Sequence, residues 1–224
     1  MNFKENISYI LSGLQIALLI TIIYQVNTLA PGSERRPERP NQRQAENRPP
    51  RPAPGAEVTK DLDGLIKDAA IRGNKNAKVT IVKYNSFTCG YCNRAREPLM
   101  QLLKKYPNDV KIAYKHYNRN QVDMKGAEAV ECAGEQNKFW EMYDTIFEKG
   151  VNGNYSDYAK GIGINPNKFD ECIKKGKYKQ KSAQNTEEGR QFGITGTPGF
   201  IINGKLFVGF RPFEGFEALV KEEL

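Results

Sequence analysis

Residues 79–92 read VTIVKYNSFTCGYC, and this stretch decides the fold. Its first part, at 79–84, is short and rich in β-branched residues, which is typical of a buried strand. A turn follows, and apolar residues then recur at helical spacing over 91–106, which predicts a helix kinked at Pro98. The motif Cys89-Gly90-Tyr91-Cys92 is therefore expected where a strand ends and a helix begins.

This placement gives the two cysteines different chemistry. At a helix N-terminus the macrodipole and the free N–H groups stabilise a thiolate, so Cys89 is the predicted nucleophile. Cys92 follows one turn later, near enough to form a short disulfide with Cys89 and to resolve a mixed one. Zinc is the alternative for a C-x-x-C motif, but it needs a second pair or histidines, and His116 is the one histidine. We therefore expect no metal and no soluble cofactor.

The rest of the sequence alternates between strand and helix patterns. Asn203-Gly204 is a strong signal for a two-residue hairpin turn, and Asn165-Pro166 predicts a helix start. The predicted elements are a strand at 110–117, a helical block over 123–192, a hairpin at 200–209 and a closing helix at 213–224. This order predicts an α/β domain with a helical block within it.

Two further regions precede this domain. Residues 7–30 carry no charge and as a helix are long enough to cross about 30 Å of hydrocarbon. Residues 1–30 are therefore predicted to be a transmembrane anchor, with a signal peptide cleaved near Ala30-Pro31-Gly32 as the alternative. Residues 31–58 hold seven of the twelve prolines and six arginines, which predicts a disordered linker because too little apolar surface is present to fold.

The composition excludes several classes of protein. An apolar content of 39% over 224 residues can fill a core, so the chain is not wholly disordered. Four cysteines are too few for a small disulfide scaffold. The formal charge is +8, but lysine and glutamate are interleaved along the globular part, as on a solvated surface. No nucleic-acid motif accompanies the charge, so we expect no nucleic-acid partner.

A second motif, TGTPG at 195–199, precedes the predicted hairpin. Together with VTIVKYNSFTCGYC, ECAGEQNKFWEMYDTIF, FDECIKKGKY and GITGTPGFIINGKLFVG, it makes the chain from about residue 60 resemble the DsbA-like thiol–disulfide oxidoreductases of the thioredoxin superfamily. The resemblance implies a thioredoxin fold over 59–224 with an inserted helical domain at about 118–192. It also implies that Pro198 is cis and that the Thr197 backbone pairs with an extended substrate, beside Gly90 and Tyr91.

The other two cysteines lie on different predicted helices of the inserted block. Cys89–Cys92 is nearly forced by proximity, which leaves Cys132–Cys172, a bridge that some DsbA relatives have. Two buried free cysteines are the alternative. A stable second disulfide indicates an oxidising compartment. We therefore expect a bacterial inner-membrane protein with its catalytic domain in the periplasm, or a periplasmic protein if the N-terminal segment is cleaved.

One position departs from the family pattern. The family usually has an acidic residue six positions before the first active-site cysteine, and this chain has Lys83 there. One interpretation is a lysine at a strand edge that extends to the surface. The other is a cation near the sulfurs that favours the thiolate and so lowers the cysteine pKa. His116 is expected to be a structural or surface residue near a strand end.

The resulting functional hypothesis is a membrane-anchored oxidoreductase that forms disulfides in cysteine-containing exported proteins and is reoxidised by a membrane redox partner. The alternative is an isomerase or reductase with the same site, because Gly90-Tyr91 and the threonine before Pro198 look like those of disulfide isomerases. A more remote alternative is a copper chaperone that holds Cu(I) between Cys89 and Cys92, since soft thiolates select that ion.

Overall fold

The computed structural model describes residues 20–25 and 52–224. Residues 20–25 are helical and exposed. Within the described ranges, no helix is both long enough and apolar enough to cross a membrane. The rest of the predicted anchor, and the predicted linker as far as residue 51, lie outside the described residues.

A five-stranded sheet forms the centre of the domain. Its spatial order is β1-β3-β2-β4-β5, with β2 and β3 parallel and the other neighbours antiparallel. The strands are β1 (Ala70–Gly73), β2 (Val79–Asn85), β3 (Val110–His116), β4 (Gly199–Ile202) and β5 (Lys205–Val208). The predicted strands correspond to β2, β3 and the β4–β5 hairpin. β1 was not predicted, because four residues with mixed polarity show no alternation.

The helices fall into two groups. Among residues 52–224, three helices precede β3 and one follows β5, and a block of five lies between β3 and β4, where the helical insertion was predicted. The helices are α1 (Leu62–Ile66), α2 (Gly90–Arg94), α3 (Arg96–Lys105), α4 (Gln121–Gly134), α5 (Phe139–Lys149), α6 (Tyr155–Gly161), α7 (Pro166–Lys175), α8 (Lys179–Gln191) and α9 (Phe213–Lys221).

The helix predicted over 91–106 is divided at Ala95, between α2 and α3. The predicted kink at Pro98 is therefore wrong in position. A proline ring clashes with the carbonyl group four residues earlier and offers it no N–H, so the interruption occurs beside Arg94. Pro98 itself lies in the first turn of α3, where a missing N–H costs little.

Both faces of the sheet are covered, and all seven residues of β2 are buried. On one face Val79, Ile81 and Phe200 pack with residues of α3 and α9. On the other face Val82 and Tyr84 pack with other apolar side chains. A third cluster fills the helical insertion. Because β2 is the central strand, the Cys89–Cys92 motif that follows it begins from a fixed position.

The hairpin at the end of the domain has the expected turn. Asn203 and Gly204 both have positive φ, at 43° and 90°, the combination that two-residue hairpins favour. The segment before α1 lies along this hairpin: Gly55 donates to the Leu206 carbonyl oxygen, and Val58 donates to that of Gly204. The ordered domain thus begins several residues before the predicted boundary at 59.

Candidate active site

Cys89 is the N-cap residue of α2, and Cys92 lies on its first turn. Both are free thiols in this structure. Cys89 is 6% exposed and Cys92 is 0% exposed, so only the first sulfur of the pair is open to an incoming sulfur. The strand β2 fixes one end of the intervening loop and the helix fixes the other, which is the junction that the sequence predicted.

The surroundings of the two sulfurs shift their pKa values in opposite directions. The hydrogen bond from the Cys92 side chain, helped by the backbone N–H groups of Cys92 and Tyr91, lowers the pKa of Cys89 to about 5, although burial opposes this. Burial, and then the hydrogen bond to Cys89, raise the pKa of Cys92 well above its ordinary value. At neutral pH the reduced pair is therefore a Cys89 thiolate beside a Cys92 thiol.

The loop before β4 brings a second segment to Cys89. The Thr197-Pro198 peptide bond is cis, and Cys89 Sγ lies 3.2 Å from the Thr197 carbonyl oxygen. The two residues are separated by 108 positions in the sequence. Thr197 Oγ1 is buried and has no hydrogen-bond partner within the described residues. The resemblance implied this juxtaposition, and the residues between the two segments include α3, β3 and the whole helical insertion.

The other two expected substrate-binding residues lie on the outer side of the motif. A side chain added at Gly90 would meet no atom within 4 Å, so this position is open. Tyr91 is 57% exposed, although large apolar side chains are usually covered. The surface beside Cys89 thus has no side chain at Gly90 and an exposed aromatic ring at Tyr91.

Lys83 is buried, so the interpretation of a lysine that extends to the surface is wrong. It lies on β2, which β3 and β4 flank on both sides, so no strand edge is present. Only 2% of Lys83 is exposed. Its Nζ donates to the Cys92 carbonyl oxygen at 3.1 Å and to the Tyr143 hydroxyl at 2.8 Å.

Lys83 lies close enough to both cysteines for their charges to act on its ammonium. Burial lowers the pKa of Lys83 to about 8, with Cys92 opposing this and Arg96 adding to it. Its Nζ lies 5.5 Å from the ring centroid of Tyr143 and 5.9 Å from that of Phe147. The two aromatic rings therefore give the buried ammonium part of the stabilisation that water gives an exposed one.

Asp123 is a site residue that the sequence did not reveal. It is 1% exposed, and its carboxylate accepts from the Thr88 backbone N–H, from the Ser86 hydroxyl and from the Arg119 N–H, each at 2.9 Å. These contacts fix the loop that leads to Cys89. In the sequence, Asp123 lies three residues after Asn120, the N-cap of α4. This pattern indicates the start of a helix. It does not indicate that Asp123 binds Thr88, 35 residues away.

His116 lies in the interior at the end of β3 and is 1% exposed. Its Nε2 lies 2.8 Å from Glu131 Oε1, and burial lowers the pKa of His116. Glu131 also accepts from Lys181 at 2.7 Å. The expected structural role fits this position, whereas a surface position does not.

Cys132 on α4 and Cys172 on α7 form a disulfide. It joins two helices of the insertion across 40 residues of sequence. The alternative of two buried free cysteines does not describe this structure.

The thioredoxin family model matches residues 66–222. The chain belongs to this family. Among curated relatives of this thioredoxin-family chain, a Na(+)/H(+) antiporter NhaA 1 of Salinispora arenicola is 29% identical over 156 residues, 67% of this chain and 24% of that protein. The chain thus spans about a quarter of the length of the antiporters it matches. A putative protein-disulfide oxidoreductase of Rickettsia typhi is 27% identical over 66% of this chain and 59% of that protein.

Solved structures share the fold of the domain. The thiol-disulfide exchange protein α-DsbA2 of Wolbachia pipientis superposes with a TM-score of 0.65 at 23% identity, over 74% of this chain and 93% of that one. Oxidised BdbD of Bacillus subtilis gives 0.64 at 20% identity, over 70% and 94%. The predicted DsbA-like architecture, a thioredoxin fold with a helical insertion, is confirmed.

Proposed function

We propose that this protein is a thiol–disulfide oxidoreductase that forms disulfides in cysteine-containing exported proteins. The observation that carries the proposal is the asymmetry of the pair: Cys89 is 6% exposed and has a lowered pKa, whereas Cys92 is 0% exposed and has a raised one. A stable Cys89 thiolate is a good leaving group, and its stability makes the disulfide of the pair more oxidising.

The first step opens the disulfide of the enzyme. A substrate thiolate attacks Cys89 Sγ, a new S–S bond forms, and the Cys89–Cys92 bond breaks. Its electron pair passes to Cys92 Sγ, which takes up a proton. The buried ammonium of Lys83 stabilises the negative charge that develops there, since it favours ionisation of Cys92.

The second step releases the product. A second thiolate of the substrate attacks the substrate sulfur of the mixed disulfide, and the electron pair of the breaking bond stays on Cys89 as a thiolate. The substrate has lost two electrons and the enzyme pair has gained them. A membrane redox partner then reoxidises the pair. In the reverse direction the Cys89 thiolate attacks first and Cys92 resolves, which is the isomerase or reductase alternative.

Gly90, Tyr91, Thr197 and Pro198 are proposed to hold the substrate. The carbonyl oxygen of Thr197 lies beside Cys89 Sγ, so an extended chain bonded to Cys89 passes along the Thr197-Pro198 backbone. Added-strand recognition of this kind uses main-chain hydrogen bonds and accepts many sequences, as an enzyme with several clients requires. The open position at Gly90 leaves room for the substrate backbone.

The location is proposed from two features. The Cys132–Cys172 disulfide suits an oxidising compartment, and the uncharged residues 7–30 suit a membrane anchor. In addition, the solved structure of a periplasmic thioredoxin-like protein from Salmonella enterica serovar Typhimurium is 25% identical over 72% of this chain and 94% of that one, with a TM-score of 0.58. Immunoblots of membrane and soluble fractions test the anchor, which a soluble form of about 22 kDa contradicts.

The reduction potential against glutathione tests the direction. A value near about −120 mV supports an oxidase, whereas about −230 mV or lower contradicts it and favours a reductase or isomerase. Refolding of a scrambled substrate in the presence of a copper chelator is the control, because a copper chaperone would have no metal-free activity. A protein that neither oxidises nor reshuffles thiols under these conditions overturns the proposed function as a whole.

A further inference from the structure

An arginine and two aromatic rings form a small cluster on the surface beside the cysteine pair. The guanidinium carbon of Arg94 lies 4.6 Å from the ring centroid of Phe210 and 5.3 Å from that of Tyr91. The two rings lie 6.3 Å apart and are tilted by 32°. We call these three residues the Arg94 cluster.

The cluster contacts both segments that surround Cys89. Tyr91 lies between the two cysteines, and Arg94 ends the same helix, α2. Phe210 directly follows Gly209, whose N–H donates to the Pro198 carbonyl oxygen at 2.8 Å. A substrate chain that is bonded to Cys89 and extended along Pro198 therefore passes next to these three side chains. Extended chains advance about 3.3 Å per residue, so residues within three positions of the substrate cysteine are in reach.

Within residues 20–25 and 52–224, the charge of Arg94 has no ionic partner. Within the described part of the chain, no carboxylate lies at ion-pair distance from it and no acceptor takes its hydrogen bonds. Glu97, three residues later, accepts from Gln101 instead. Arg96, by contrast, pairs with Asp144 at 2.8 Å and is held against the domain.

The aromatic contacts of Arg94 leave its N–H groups available to a ligand. Rings stack on the flat face of a guanidinium, while its N–H donors point outward in the plane and match the two oxygens of a carboxylate. The stacking also restricts the side chain before any ligand arrives, which reduces the entropy lost on binding. An aliphatic side chain of the substrate would contact only the two aromatic rings. An acidic side chain would also form an ion pair with Arg94.

We infer that Arg94 binds a carboxylate of the substrate and so favours cysteines that have an aspartate or glutamate within three residues. The inference rests on the proposed function, because it concerns substrates of the same Cys89–Cys92 pair. It adds a sequence preference to the backbone recognition at Thr197-Pro198, which by itself accepts any extended chain.

The test uses the oxidised full-length protein and synthetic peptides with a single cysteine in a neutral sequence. One set carries glutamate, and a matched set glutamine, at each of the three positions on either side of the cysteine. The peptide thiolate attacks Cys89 Sγ and opens the protein disulfide to a peptide–Cys89 mixed disulfide with a free Cys92 thiol, and the second-order rate constant of this step is followed by acid quench and mass spectrometry. The measured quantity is the glutamate-to-glutamine rate ratio at each position, compared between the wild type and Arg94→Gln, because the intrinsic reactivities of the peptides cancel in that comparison.

At one or two adjacent positions we expect the ratio to be about 3-fold to 10-fold larger for the wild type than for Arg94→Gln, and to fall as salt is added. Arg94→Lys should keep part of the preference, since lysine has the charge but lacks the fork geometry. Arg190→Gln is the matched control: it removes an exposed arginine that pairs with Glu187 on α8, and the ratio should stay at the wild-type value.

Three outcomes separate the possibilities. Equal ratios in the wild type and Arg94→Gln at all six positions overturn the inference and leave the proposed function intact. A ratio that falls equally in Arg190→Gln also overturns it, because the effect is then one of net charge. If no peptide forms a mixed disulfide with the protein at all, the proposed function fails, and the preference fails with it.

Discussion

The Lys83 ammonium donates a hydrogen bond to the backbone carbonyl oxygen of Cys92 at 3.1 Å. A cation is thus fixed beside the Cys89–Cys92 motif, at the position where the resemblance in the sequence led us to expect an acid. The contact also ties the central strand β2 to the first turn of α2. We therefore propose that Lys83 acts through the two cysteines, as a positioning residue and a source of positive charge.

Replacing Lys83 with methionine should slow the oxidation of substrate. The negative charge that develops on Cys92 loses its nearest cation, and loss of one such stabilising group costs on the order of 10-fold to 100-fold in rate. Stopped-flow measurement of enzyme reduction by a dithiol peptide gives this rate. Lys78, exposed and just before β2, provides the control Lys78→Met, and an equal loss in both variants contradicts the role of Lys83.

Lys83→Glu should in addition raise the pKa of Cys89. A carboxylate near the pair opposes the thiolate, whereas the ammonium favours it. Thiolate absorbance at about 240 nm, followed against pH in the reduced protein, reports the change, and the curve should move to higher pH. Superimposable titrations of the wild type and the variant would show that the charge at residue 83 does not act on Cys89.

Cys92→Ala should trap mixed disulfides with substrates through Cys89, and Cys89→Ala should trap none. The first variant keeps the accessible nucleophile and loses the thiol that resolves the intermediate. Non-reducing gels with mass spectrometry of the captured peptides give the result. Equal capture by both variants would mean that the nucleophile and the resolving residue have been assigned wrongly.

The double variant Cys132→Ala, Cys172→Ala should lose about 3–4 kcal/mol of unfolding free energy, because the bridge closes a loop of 40 residues. The reduction potential of the Cys89–Cys92 pair should stay close to the wild-type value, since the bridge joins α4 and α7 in the insertion. Denaturant unfolding and glutathione equilibration measure the two quantities. A large change in potential would show that the bridge supports the active site directly.

Asp123→Ala should destabilise the domain by about 2–4 kcal/mol, because it leaves the buried Ser86 hydroxyl and the partly buried Thr88 N–H without their acceptor. The loop before Cys89 should loosen, and faster amide exchange at Thr88 measures this. Asp157→Ala is the control, at an exposed position in the first turn of α6, and should cost little. If both variants lost the same unfolding free energy, the loss would come from the missing acidic residue in the first turn of a helix and not from the contacts of Asp123 with the Cys89 loop.

The stability of the reduced protein should depend on the ionisation of Cys89. Its pKa in the folded state, about 5, is depressed from 9.0, so its thiolate contributes stability that is full above about pH 9 and is lost as the pH falls towards 5. The oxidised protein has no such titration. The stability of the reduced form relative to the oxidised form should therefore decline over this window. A constant difference from pH 9 to 5 would contradict the thiolate assignment.

Local sequence patterns determined a large part of this fold. The β-branched run before Cys89, the helical spacing after it and the Asn203-Gly204 turn each act through neighbouring residues, so each could be predicted without tertiary information. The resemblance in the motifs then implied the order of elements and the cis bond before Pro198. The strand β1 was missed because four residues provide too little periodicity.

The environment of the cysteine pair was decided by tertiary structure. Lys83 is buried because β3 and β4 flank its strand and because Tyr143, 60 residues away, provides its acceptor. Asp123 supports the Cys89 loop across 35 residues. The position of Lys83 on a strand follows from periodicity, but burial and hydrogen-bond partners depend on which distant elements pack against that strand, and a linear pattern does not encode this.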